Sequence, residues 1–176
     1  MPPPEAGSRL VGLDLGARRI GVAIADTDGG RAIPLLTLRR VRTPEGDSVA
    51  LARVVAEQHV VEIVVGLPLE ASGTEGPQAK LTRDWVAGAL VQLGIPVAFR
   101  DERLSSHRAE ERIGPMKRGR SGGPPTRMQR ERYRERIDRE AAAIILQDEL
   151  DARARGERPV RPAPNPSRVP PLETPA

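Results

Sequence analysis

Four acidic residues stand where a sheet edge or a helix face could bring them together. Asp14 lies in the apolar segment VGLDL, Asp101 and Glu102 follow the apolar segment IPVAF, and Asp138 opens the apolar half of a long helical segment. Strand ends cluster along one edge of a mixed sheet, so we expect these carboxylates to converge. Converging carboxylates without histidine or cysteine suit phosphodiester hydrolysis assisted by one or two divalent cations. The pattern therefore predicts a catalytic role for each of the four.

Asp138 is the most informative of these acids. On a helix with 3.6 residues per turn its surface neighbours are Ala141, Ala142 and Ile145, which are residues typical of a core. A carboxylate on a buried stripe is costly unless it is paired or bound to a metal. Two interpretations stay open for Asp138: a metal ligand, or an ion pair with Arg103 or Arg19. The alternative for Asp14 is a strand-end carboxylate bonded to turn amides.

The composition narrows the chemistry further. The chain has 176 residues, no cysteine, two histidines and 2% aromatic residues. This length suits one domain, and the lack of cysteine excludes disulfides, zinc–thiolate sites and thiol nucleophiles. Any metal would be a hard cation held by carboxylates, Mg²⁺ or Mn²⁺. The net charge of +4 favours a polyanionic partner.

A basic segment, GPMKRGRSGGPPTRMQRERYRER, leads directly into Asp138. Its cations could neutralise a phosphate backbone that the carboxylates would otherwise repel. The alternative is a solvated helix with Glu–Arg pairs. A second segment, VVGLPLEASGTEGPQA, could bring amides and hydroxyls close to phosphates, although it is not a Walker motif. The predicted nucleic-acid contacts are Arg18, Arg19, Lys117, Arg118, Arg120, Arg132, Arg134 and Arg136.

Apolar periodicity and turn residues predict an α/β protein. Residues 1–8 and the proline-rich residues 156–176 are expected to be disordered, which leaves one domain at 9–155. In the first helix we expect Val49, Ala52 and Val55 or Ala56 to face the core. The element order β-β-β-α-β-α-β-α-α predicts a five-stranded mixed sheet flanked by helices, and it resembles that of the ribonuclease H-like fold. The predicted strands are 10–15, 20–25, 32–38, 60–67 and 95–101, and the predicted helices are 44–58, 78–93, 105–113 and 128–153.

Four ordered segments resemble the YqgF family of pre-16S ribosomal RNA nucleases, also described as Holliday-junction-resolvase-like. The segments are GLDLGARRIGVAIAD, VVGLPLEASGTEGPQA, DERLSSHRAEE and IDREAAAIILQDELD, which together span nearly the whole predicted domain. The resemblance implies a ribonuclease H-like fold, a bacterial cytoplasmic protein and a nuclease that matures the 5′ end of the small-subunit ribosomal RNA precursor. It places the metal-binding acids at Asp14, Glu102 and Asp138 and favours Glu102 over Asp101.

Several functions remain open from the sequence. The leading one is a metal-dependent nuclease acting on structured RNA, including precursor RNA on the ribosome. A Holliday-junction resolvase acting on branched DNA and a non-catalytic nucleic-acid-binding protein are the alternatives. An ATP-binding protein of the actin or sugar-kinase kind would need a second such domain, for which the chain is too short. No segment is apolar and long enough to predict a membrane span, and the residues fix no oligomeric state.

Overall fold

The computed structural model describes residues 7–41, 43–117 and 122–162. Five strands and four α-helices follow one another in the order that the sequence predicts, and one short 3₁₀ turn, Val91–Leu93, follows the second helix. The strands are β1 Arg9–Leu15, β2 Arg19–Asp26, β3 Ile33–Arg39, β4 Val60–Leu67 and β5 Val97–Asp101. The helices are α1 Pro44–Glu57, α2 Pro77–Ala89, α3 Ser105–Ile113 and α4 Arg127–Ala154.

The strands form one mixed sheet in the order β3-β2-β1-β4-β5. The first three strands pair antiparallel, and β4 and β5 join β1 in parallel. Pro34 lies in the edge strand β3, where a residue without an N–H group is tolerated. The predicted five-stranded sheet of the ribonuclease H-like fold is therefore confirmed.

Side chains of the central strand β1 alternate between two apolar cores, because successive residues of a strand point to opposite faces. Leu13 belongs to the larger core, together with Leu51 of α1 and Trp85 of α2. Leu10 belongs to a second core that contains residues of α4. Asp14, four residues after Leu10, therefore points to the face of the sheet that α4 covers.

Helix α4 approaches the sheet unusually closely because two glycines leave room for its backbone. A Cβ atom at Gly12 would lie 2.7 Å from the Ala142 carbonyl oxygen, and a Cβ atom at Gly21 would overlap the Asp138 carbonyl. Gly21 is the direct partner of Asp14 in the β1–β2 ladder. The close contact thus sets Asp138 beside the strand that carries Asp14.

Helix α1 turns a different face to the sheet from the one that its apolar pattern predicts. Val49 is 65% exposed, whereas Leu51 is fully buried. The inward face carries Asp47, which is buried and accepts a hydrogen bond of 2.9 Å from the Trp85 indole. A buried carboxylate with a partner fixes the rotation of the helix, and a search for apolar periodicity alone does not detect it.

Contacts with the sheet continue just outside residues 9–155 at both ends. Ser8 is buried, and its carbonyl accepts a hydrogen bond of 3.1 Å from the Thr27 amide. At the other end, Val160 pairs with Phe99 on the free edge of β5. The remainder of the two predicted disordered segments, 1–6 and 163–176, lies outside the described residues.

No helix within the described ranges combines the length and the hydrophobicity that a membrane span requires.

Gly21→Ala should strongly destabilise the protein. The new methyl group would collide with the backbone of α4, which cannot move without displacing the second core. We expect the free energy of unfolding to fall by about 3 kcal/mol or more, the upper range for overpacking. Urea denaturation measures the change.

Ala17→Ser serves as the control, because it also adds one heavy atom but lies in the exposed β1–β2 turn. We expect a change within about 0.5 kcal/mol, as for other surface substitutions. Equal losses in the two variants would show that α4 can yield at Gly21.

Candidate active site

Asp14 and Glu102 meet on the face of the sheet that α4 covers. Glu102 directly follows β5, and its amide donates a hydrogen bond of 3.2 Å to the Leu67 carbonyl, which continues the β4–β5 ladder by one residue. The strand alternation therefore still applies at Glu102 and turns its side chain toward α4. The two carboxyl groups lie close enough for each to change the pKa of the other.

Gly66 of β4, the strand between β1 and β5, makes room for this pair. A Cβ atom at that position would overlap Oε2 of Glu102 and lie 2.7 Å from Cδ1 of Ile145. That same Oε2 atom is buried and has no hydrogen-bond partner. An unsatisfied buried oxygen is costly, so its presence indicates a site built to receive a donor or a cation.

The environment of the pair holds protons at neutral pH. Burial is the main cause that raises the pKa of Asp14, to about 7; the nearby charge of Asp138 adds to the rise, and the hydrogen bond with Glu102 opposes it. Burial also raises the pKa of Glu102, to about 8, and both the charge of Asp14 and the hydrogen bond with it add to that rise. The two groups interact so strongly that they titrate as one unit.

Asp138 lies close to this pair but has a different partner. The Nε atom of Arg19 donates a hydrogen bond to its carboxylate, and both side chains are largely buried, at 22% and 20% exposure. This contact raises the pKa of the Arg19 guanidinium. The sequence left two ion pairs open for Asp138, with Arg103 or with Arg19, and the structure shows the pair with Arg19.

The three acids are consequently split into two groups. Among residues 7–41, 43–117 and 122–162, no set of three or more His, Cys, Asp or Glu side chains is arranged to hold a metal ion. Asp14 and Glu102 form a pair, whereas Asp138 stands beside them and is neutralised by Arg19.

Asp101 lies next to Glu102 in sequence but has other contacts. Its carboxylate accepts a hydrogen bond of 2.9 Å from the Arg103 amide and another of 2.9 Å from Nε of the same residue. Burial raises the pKa of Asp101, but the hydrogen bonds from Arg103 outweigh that effect and lower it. The structure thus separates Asp101, a partner of Arg103, from Glu102, the partner of Asp14.

The predicted basic residues fall into three sets. Arg18, Arg19 and Arg134 line one cleft, which Arg19 connects to Asp138. Arg132 and Arg136 are exposed on other faces of α4, and Lys117 is exposed beyond the end of α3. Two further predicted contacts, Arg118 and Arg120, lie outside the described residues.

The sequence analysis missed three arginines that line this cleft: Arg39 and Arg40, which follow one another where β3 ends, and Arg127, the first residue of α4. One available signal was the doubled arginine at the end of a strand that pairs with the start of β2. Another was helical spacing, since Arg127 and Arg134 lie on the same face of α4 as Asp138, eleven and four residues before it.

The raised pKa values predict that the metal-free protein loses stability as the pH rises from about 4 to about 8. Carboxyl groups of the unfolded chain titrate near pH 4, whereas Asp14 and Glu102 titrate at about 7 and about 8. The folded state therefore binds more protons in this interval, and its free energy of unfolding falls with pH. Urea denaturation in the presence of a chelator measures the profile.

Glu102→Gln removes one of the two interacting carboxyl groups. Between about pH 4 and about pH 8, the free energy of unfolding of this variant should fall by about 1–3 kcal/mol less than that of the wild type. Asp101→Asn is the matched control. Because the pKa of Asp101 is lowered, its charge changes below this interval. The variant should keep most of the wild-type slope and lose only the small part that the charge of Asp101 adds to the pKa of Glu102. A flat wild-type profile would contradict the assignment.

Comparison with known proteins agrees with the resemblance seen in the sequence. A family model described as "RuvX: Holliday junction resolvase" matches residues 8–152. A Chloroflexus aggregans protein named "Putative pre-16S rRNA nuclease" is 43% identical over 144 residues, which cover 82% of this chain and 94% of that protein. A protein of the same name from Anaeromyxobacter dehalogenans is 44% identical over 146 residues, covering 83% and 98%.

Among solved structures, "T. thermophilus RuvC in complex with Holliday junction substrate" aligns with a TM-score of 0.49 and 14% identity, covering 86% of this chain and 99% of that one. The family match spans most of the described domain, and the two relatives are more than 40% identical over nearly their full lengths. This chain therefore belongs to the RuvX family.

Proposed function

We propose that this nuclease matures the 5′ end of pre-16S ribosomal RNA in the cytoplasm, using Mg²⁺ or Mn²⁺ held by Asp14, Glu102 and Asp138. Membership of the RuvX family makes the chain an enzyme that hydrolyses phosphodiester bonds. The RNA substrate is supported by the names of relatives that match over most of the chain. The observation that carries the proposal is the buried carboxyl pair of Asp14 and Glu102 with its unsatisfied oxygen.

The residues at this site fit a divalent cation. Mg²⁺ and Mn²⁺ prefer oxygen ligands, and the pair offers carboxylate oxygens, one of them without any partner. A cation stabilises the ionised form of both carboxyl groups, so binding would release the protons that burial now retains. Gly66 keeps the space beside Glu102 free of side-chain atoms. When bound, such a cation supplies the Lewis acidity that activates water and stabilises the leaving oxygen.

The side chains of the protein have two further roles: the acids hold the cation, and the arginines contact the substrate. Asp14 and Glu102 must be ionised to act as ligands, while Asp138 must be free of Arg19 to act as a third. The arginines beside this site offer positive charge to a polynucleotide backbone, which the acids alone would repel. Asp101 acts through Arg103, which it orients along the loop at residues 70–71.

Branched DNA is the second candidate substrate. The specific observation in its favour is the description of the matching family as Holliday junction resolvase. The carboxyl pair would serve either polymer, because the reacting phosphodiester is the same in both. The choice between RNA and DNA therefore rests on a direct comparison of the two substrates.

Cleavage of a 5′-extended 16S precursor RNA and of a four-way DNA junction should be compared under identical conditions with Mn²⁺, Mg²⁺ or a chelator. We expect cleavage of the RNA that depends on the metal. Asp14→Asn and Glu102→Gln should each lower kcat by about 100-fold or more, equivalent to about 3 kcal/mol of transition-state stabilisation. Preferential cleavage of the junction would instead support the resolvase function.

Asp101→Asn is the matched control in this assay, since it removes a neighbouring carboxylate that contacts Arg103 and not Asp14. Its kcat should stay within about tenfold of the wild type, the loss expected from a changed loop position. A larger loss for Asp101→Asn than for Glu102→Gln would assign the catalytic role to Asp101.

Activity should rise with pH through the range of about 7 to 8, because the carboxyl pair must lose its protons to bind a cation. A higher metal concentration should shift the midpoint of the rate profile to lower pH, since cation and proton compete for the same oxygens. Rates at several pH values and two Mn²⁺ concentrations test this. A midpoint that does not depend on metal would place the titrating group elsewhere.

A further inference from the structure

A cleft of about 950 Å³ lies between the β1–β2 turn, the end of β3 and the first half of α4, and Arg19 in its lining contacts Asp138. It has the size of a ligand site. Its charged lining consists of six arginines and two glutamates. The arginines are Arg18, Arg19, Arg39, Arg40, Arg127 and Arg134.

The two glutamates neutralise only part of this lining, because six guanidinium groups face two carboxylates, whose charges also act on Arg19. Within the described part of the chain, Glu131 forms its salt bridge with Arg39, at 3.7 Å, and these two side chains are 43% and 80% exposed, so solvent screens the pair. The Glu135 carbonyl accepts a hydrogen bond of 2.8 Å from the Thr37 hydroxyl, which ties this part of α4 to β3. The cleft therefore keeps a surplus of positive charge on elements that are fixed to one another.

One arginine of the cleft is held rigidly at its wall. Arg40 donates a hydrogen bond of 3.1 Å to Asp47 and another of 3.1 Å to the Gly16 carbonyl. Its guanidinium also lies 5.9 Å from the centre of the Trp85 ring. This arginine joins the β1–β2 turn to the edge of β3, so the shape of the cleft is set before any ligand arrives.

Arg19 belongs to the cleft and to the active site at the same time. It lines the cleft, and its Nε atom donates to Asp138, whose charge in turn raises the pKa of Asp14. A single guanidinium thus stands between the arginine-lined space and the acids. Any anion that draws Arg19 into the cleft leaves Asp138 without its partner.

We propose that the cleft is a subsite for a backbone phosphate of the nucleic-acid substrate, and that Arg19 couples its occupancy to cation binding by exchanging Asp138 for that phosphate. This inference rests on the proposed nuclease function and describes how substrate binding would regulate cation binding at the same site. A phosphate is a bidentate partner for a guanidinium, as a carboxylate is. Once released, Asp138 adds a third negative group beside Asp14 and Glu102, and the affinity for a divalent cation rises.

The coupling must be reciprocal, because both ligands bias the same exchange. Bound nucleic acid should strengthen cation binding, and bound cation should strengthen nucleic-acid binding by the same factor. The protein would then assemble its full ligand set chiefly when substrate is present. In the free state, Arg19 keeps Asp138 neutralised and the site in its two-carboxylate form.

The first test measures binding of a fluorescein-labelled RNA hairpin to the full chain in chelator, by anisotropy. Arg39→Gln combined with Arg134→Gln should weaken binding by about tenfold and reduce the slope of log K against log salt by about two. The control pair, Arg31→Gln with Arg53→Gln, removes the same charge from exposed positions that do not line the cleft. Equal weakening by both pairs would overturn the subsite.

The second test measures Ca²⁺ binding by calorimetry, with and without the hairpin. Arg19→Gln should raise the affinity for Ca²⁺ in the absence of RNA by about fivefold or more, and it should abolish the further gain that RNA gives the wild type. Thermal unfolding of each variant checks that it is folded. An unchanged or weaker Ca²⁺ affinity in Arg19→Gln would overturn the coupling.

Asp138→Asn separates this exchange from the general effect of removing a positive charge. In the Asp138→Asn background there is no third carboxylate to release, so Arg19→Gln should no longer raise the affinity for Ca²⁺. If Arg19→Gln still raised the affinity for Ca²⁺ in this background, the increase would come from the loss of a positive charge at long range. That result would overturn the proposed exchange of Asp138 for phosphate. Neither test uses cleavage, so failure to cut the precursor RNA would refute the proposed substrate while leaving these results interpretable.

Discussion

The contact between the backbone of α4 and the two glycines of β1 and β2 is the constraint on which the site depends. Gly12 and Gly21 leave no side chain between sheet and helix, and small residues on α4 complete the approach. A larger residue at either position would lift the helix and carry Asp138 away from Asp14. The same contact forms the second apolar core, so the stability of the domain and the position of the acids have one common cause.

The carboxyl pair of Asp14 and Glu102 lowers the folding stability of this domain at neutral pH. Two acids that share a buried site cannot both ionise without a partner, and burial raises both pKa values toward neutrality. The surrounding core supplies the stability that offsets this cost. Carboxyl groups with strongly raised pKa values are typical of functional sites.

The arginines of the cleft have either a structural or a binding role, and the exposed fraction of the side chain distinguishes the two. Arg40 is 25% exposed, and its hydrogen bonds to Asp47 and Gly16 make it part of the scaffold. Arg39 is 80% exposed and only loosely paired, so it is available to a polyanion. Arg19 lies between these extremes, since it is largely buried and yet borders the cleft, which makes it the residue through which substrate and acids can communicate.

The sequence by itself determined the order of elements, the five-stranded sheet and the four candidate acids. Apolar periodicity is a local property, and the buried run Val60–Leu67 or the edge proline Pro34 can be interpreted without neighbours. The sequence also contained the alternation that directs Glu102 toward α4, but applying it required the end of β5 to be known to the residue. That end is set by the hydrogen bond to Leu67, a contact between strands.

Only the tertiary structure decided which charges meet. It paired Asp14 with Glu102, Asp101 with Arg103 and Asp138 with Arg19, and it buried Asp47 on the inward face of α1. It also gathered arginines from a turn, a strand end and a helix into one cleft. The physical reason is that ion pairs and buried carboxylates depend on distances of a few ångströms between segments far apart in the chain, and no local pattern of residue types encodes those distances.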